Sequence, residues 1–73
     1  MTKKFDVYIV EEIDYDDIIR HGIFLTEKSA IKKLKTLATQ NKKLGAEIEW
    51  SDDESGFYIF ETRFCITKEE VKE

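Results

Sequence analysis

The chain has 73 residues, 41% of them apolar and 38% charged, with a net charge of −4. That composition supports one domain around one core and carries too many charges for two buried layers. The longest apolar runs, Val7 to Val10 and Phe57 to Phe60, are four residues each, which excludes a membrane-spanning helix and points away from a membrane partner.

Residues 5–13 place Phe5, Val7 and Ile9 on one face of a strand at period two, with Tyr8 and Val10 on the other. Five acids follow within seven positions: Glu11, Glu12, Asp14, Asp16 and Asp17. Their repulsion and hydration predict an exposed turn. Apolar and β-branched residues resume with Ile18, Ile19, Ile23, Phe24 and Leu25, so the first 25 residues read as a hairpin. Thr26 is placed to cap a helix and Glu27 suits its first turn. From Ser29 to Leu44, residues Ala30, Ile31, Leu34, Leu37, Ala38 and Leu44 fall in one arc of the helical wheel, and Gly45 sits where a C-terminal cap belongs.

Residues 46–50 alternate, with Ala46, Ile48 and Trp50 on one side, and S-D-D-E-S-G at 51–56 reads as a polar turn. Residues 57–66 read as the longest strand. The Thr67 and Glu70 spacing fits a capping box, predicting a short terminal turn or disordered tail over 67–73. The expected fold is therefore α+β: two hairpins in β-β-α-β-β order, forming a four-stranded sheet with one amphipathic helix on one face, within a single domain over 1–66.

A helix covers only one face of such a sheet. Tyr8, Val10, Phe57 and Ile59 are expected on the uncovered face as an apolar and aromatic patch, the candidate surface for a protein partner or a homodimer contact. Six lysines and no acid lie between Lys28 and Leu44, whereas the rest of the chain has six basic residues against sixteen acids. Lys28, Lys32, Lys35 and Lys42 form a basic stripe that could meet nucleic acid or an acidic partner. It lacks arginine on a net-negative chain, so nucleic acid is the less favoured partner. The acidic residues Asp14, Asp16, Asp17, Asp52, Asp53 and Glu54 suit either solvated turns or imitation of a polyanion, and neither stretch matches a calcium loop.

Catalytic signals are weak. His21 and Cys65 are single representatives of their types, and nothing in the sequence brings them together as a base and nucleophile. One cysteine permits no internal disulfide, in keeping with a reducing cytoplasmic compartment. No glycine-rich phosphate loop or zinc pattern is present, so no cofactor, metal or enzymatic activity is expected.

V-Y-I-V in the first strand, G-I-F-L-T-E-K-S-A entering the helix and G-F-Y-I-F-E near the end together resemble a family of short, uncharacterised bacterial and bacteriophage proteins. The resemblance implies a prokaryotic or phage origin, hence a host cytoplasm if phage-encoded, and a ββαββ plan. It transfers no functional residue. The function expected is that of a small binding protein, able to inhibit or modulate a host protein, with a nucleic-acid-related role as the alternative.

Overall fold

A computed structural model describes residues 4–53 and 55–72. Strands β1 (Lys4–Asp14) and β2 (Asp17–Phe24) form the first hairpin, followed by α1 (Glu27–Lys43), β3 (Glu49–Trp50), β4 (Gly56–Ile59) and β5 (Thr62–Lys72). The strands make one antiparallel sheet in the order β2-β1-β5-β4-β3. The α+β class stands, but the sheet has five strands and the element order is ββαβββ, which corrects the expected four-stranded ββαββ plan.

Two local readings produced that difference. The segment read as one strand over 57–66 folds back at Phe60–Glu61, giving β4 and β5. Residues 67–72 do not form a terminal turn or tail; they continue β5. Glu73 lies outside the described residues. The physical reason is the length of β1, whose backbone groups need partners along its whole run. β5 supplies them in a ladder from Lys4↔Lys72 to Ile13↔Arg63. The Thr67 hydroxyl, instead of capping a helix, donates to Glu11 Oε1 at 2.6 Å.

The helix follows its local signals. Thr26 is extended (φ −127°, ψ 148°), and its hydroxyl oxygen accepts from the Ser29 N–H at 3.2 Å. Glu27 lies in the first turn, with Lys42 and Lys43 in the last, both favourable to the helix dipole. Gly45 takes φ +92° and donates its N–H to the Lys42 carbonyl at 3.0 Å, the left-handed stop that glycine adopts without a Cβ penalty.

Ala30, Leu34, Leu37 and Ala38 pack on Val10, Phe57 and Phe64, with Tyr8, Phe24, Ile48, Ile59 and Ile66 around them. The Phe57 and Phe64 rings stack at 4.5 Å and 10°, and Trp50 lies 5.1 Å from Phe57. The helix thus covers the face bearing Tyr8, Val10, Phe57 and Ile59, the four residues expected to be exposed. Val10 and Phe57 are fully buried. β1 is apolar on both faces, so its alternation could not choose between them. The turn at 60–61 also resets the alternation. The Phe57↔Phe64 pairing then places on one side two residues that a single strand over 57–66 would put on opposite faces. By register, the uncovered face carries Phe5, Val7, Ile9, Ile13, Ile18, Ile23 and Tyr58.

Candidate functional site

The ladder ends at Ile13↔Arg63, so the β1–β2 and β4–β5 turns lie side by side at one end of the sheet. Each has two residues, Tyr15–Asp16 and Phe60–Glu61. Tyr15 has φ 51° and Phe60 φ 54°. Two-residue hairpin turns place glycine, asparagine or aspartate at such positions, and another L-residue in the left-handed region costs roughly 1–2 kcal/mol. Here both positions hold aromatics. They are also the most solvent-exposed aromatics among the described residues, Tyr15 at 81% and Phe60 at 94%.

The Tyr15 hydroxyl donates to the Glu61 carboxylate and ties the two turns together. Asp16, Asp17 and Glu61 are exposed around them, with Asp14 half-buried. Beside Phe60, a shallow depression of about 270 Å³ is lined by Glu47, Ile48, Glu49 and Tyr58. The site is a projecting pair of aromatic rings in an acidic setting, and no basic residue occupies either turn.

The bond to Glu61 raises the Tyr15 phenol above its ordinary pKa, with slight desolvation and the charge of Asp14 adding to the shift. A raised folded-state value means the neutral phenol is favoured in the native chain. Its contribution is therefore complete below an ordinary phenol pKa of about 10 and fades as pH rises through the folded value. Ultraviolet titration is expected to find one tyrosine ionising later than in Glu61→Gln, and an unchanged curve in that variant would remove the link between the turns.

The other sequence-selected residues separate into distinct places. Lys28, Lys32, Lys35 and Lys42 are exposed on α1. Among the described residues, no carboxylate lies within 4 Å of these lysines. Lys35 and Lys42 border a groove of about 890 Å³ shared with Ala38, Ile48 and Trp50. Asp53 is occupied locally: Oδ1 accepts from Ser51 Oγ at 2.9 Å, Ser55 Oγ at 2.7 Å and the Ser55 N–H at 3.1 Å. These bonds, Ser55's first, lower its pKa to about 2. Asp52 is exposed, and Glu54 lies outside the described residues. Among the described residues, no three acidic, histidine or cysteine side chains converge to hold a metal ion.

His21 and Cys65 lie on opposite faces of the sheet. The His21 ring stacks on Phe64 at 5.9 Å and contacts Glu12 Oε1 at 2.9 Å on the helix side. Cys65 pairs with Glu11 and is buried on the other side. They form no nucleophile–base pair.

Sequence reasoning missed Tyr15, Phe60 and Glu61. The available signal was negative: two aromatic–acid dipeptides interrupt alternating segments without the glycine or asparagine that a tight turn favours. Among the described residues, no helix is long and apolar enough to cross a membrane. Comparison with protein-family models, curated proteins and solved structures finds no match, so the functional reading rests on geometry.

Proposed function

We propose that this chain is a non-enzymatic binding protein that grips a protein partner with its paired hairpin tips, and that the contacted surface of the partner is basic. The observation that carries this reading is the position of Tyr15 and Phe60. Both rings stand in solvent on backbone that disfavours them, so folding gains little from burying either. An aromatic kept under those conditions is explained by a contact outside the molecule, since backbone strain concentrates where function requires it. Aromatic anchors supply much of the energy of protein interfaces. The surrounding Asp16, Asp17 and Glu61 carboxylates steer a positively charged surface toward them and disfavour an acidic one. A surface of that kind is also what nucleic acid uses, so the tips would compete with a polyanion for the same lysines and arginines.

The reading predicts a conflict between stability and binding. Phe60→Asn relieves the left-handed strain and is expected to stabilise the fold by about 1 kcal/mol, a rise of roughly 4–8 °C in Tm for a domain of this size. The same variant, and more strongly Tyr15→Ser with Phe60→Ser, is expected to lose the partner in quantitative affinity capture from the source cell. Capture of the same proteins at the same levels by wild type and double variant would defeat the proposal.

A further inference from the structure

We propose that the sheet face left open by α1 packs against the same face of a second copy, giving a two-layered sheet core with the helices outside. This surface is separate from the hairpin tips and rests on other observations.

The open face leaves apolar side chains in solvent beside its charged ones. Cross-strand pairs Phe5–Val71, Ile9–Ile23 and Ile13–Ile18 lie on it. Ile18 and Ile23 remain 60% and 59% exposed. Val7, Ile9 and Cys65 form its buried floor. A sheet face that leaves apolar side chains in solvent reaches a stable layered arrangement when another layer covers it.

The basic residues on this face are of the kind found between proteins. The chain has only two arginines, Arg20 and Arg63, and register places both here, opposite Glu11 and Ile13 respectively. Among the described residues, no lysine belongs to this face by register: Lys4 and Lys68 lie on the other side, Lys72 pairs with Lys4, and the helix bears the rest. Interfaces are enriched in arginine and depleted of lysine.

Charge and size favour a second copy over another occupant. By register Arg20 and Arg63 share this face with Glu11, Glu49 and Glu69, so it is nearly neutral, in contrast to the lysine-rich helix and the acidic tips. Arg20 Nε lies 3.8 Å from Glu11 Oε2, within the same chain. In a two-fold contact the face meets itself, and a balanced face does so without like-charge excess. Strands of these lengths at ordinary spacing present roughly 600 Å² of planar sheet. That is about three quarters of the ~800 Å² per partner of a standard stable interface. Each dimer then carries two pairs of hairpin tips, enough to hold a repeated target bivalently.

The test is sedimentation equilibrium of the whole chain from low to high micromolar concentration, at low and high salt. The expected species has twice the 8.6 kDa chain mass and persists in salt. Ile23→Glu on β2 and Tyr58→Gln on β4, three strands apart, are each expected to raise the dimer dissociation constant at least tenfold. Both positions are exposed in the single chain, and circular dichroism of the dilute monomer is expected to match wild type. A chain that stays monomeric at high concentration overturns the proposal. So does a dimer that Ile23→Glu breaks and Tyr58→Gln does not, which would indicate edge-to-edge pairing through β2. A dimer that resists both variants but dissociates in salt or with Lys35→Glu would place the contact on the helix and overturn it equally. Loss of dimerisation with retained capture by the tips would leave the proposed function intact.

Discussion

Phe57→Ala is expected to lose about 3–5 kcal/mol of stability, the range for removing a buried aromatic ring. Phe57 is fully buried, stacked on Phe64 at 4.5 Å and flanked by Trp50 at 5.1 Å. β4 has few other anchors, so neighbouring side chains can close the cavity only by moving the strand. At 0.05–0.15 kcal/mol per residue, the whole domain has roughly 4–11 kcal/mol to lose. The variant should therefore forfeit between about a quarter and all of that stability. Urea denaturation followed by circular dichroism measures this directly. Phe60→Ala, three residues away and on the surface, is expected to change stability by no more than about 0.5 kcal/mol. A small loss at Phe57 would mean that the helix covers the other face.

Gly56→Ala should cost on the order of 2–3 kcal/mol, through overpacking. A Cβ built at Gly56 comes within 2.5 Å of the Phe64 carbonyl oxygen and 3.5 Å of Cys65 Cα. Those are backbone atoms of the neighbouring strand and cannot turn aside. β4 must separate from β5, carrying with it the Ser51 bonds to Gly56. Amide hydrogen exchange should then quicken at Ser51 and Tyr58 while the β1–β2 hairpin stays protected. Gly22→Ala is the useful contrast. Its new Cβ meets only the far edge of the Phe24 ring, at 2.8 Å, and that ring can rotate, so a smaller loss is expected.

What could be read from the sequence was whatever local interactions determine. Thr26, Glu27, the Ala30–Leu34–Leu37–Ala38 arc and Gly45 specify α1 within one segment, and the helix has those bounds and caps. The first hairpin was also visible, because its two strands are separated by polar residues. The acidic run between them was misjudged. Glu11 lies in β1 and is buried, held by Thr67 56 positions away and near Arg20. The reading of 57–66 failed because Phe60 and Glu61 carry none of the residues that announce a turn, and the left-handed Phe60 is imposed by the pairing of β4 with β5. The choice of covered face failed for a related reason. Period-two alternation divides β1 into two apolar sides without indicating which one the helix takes. The working surface was hidden for the same reason: Tyr15 and Phe60 become neighbours only when β1 and β5 pair.

The central claim, that the paired tips are the surface that meets the partner, is tested most directly by site-specific photo-crosslinking. Benzoylphenylalanine at position 60 keeps an aromatic where Phe60 stands, and the same group at Gln40, exposed on α1, serves as the control. Irradiation in the source cell is expected to give a discrete protein adduct from position 60, absent from position 40 and reduced by Tyr15→Ser. Adducts from position 40 alone, or a position-60 probe that joins no protein, would contradict the account.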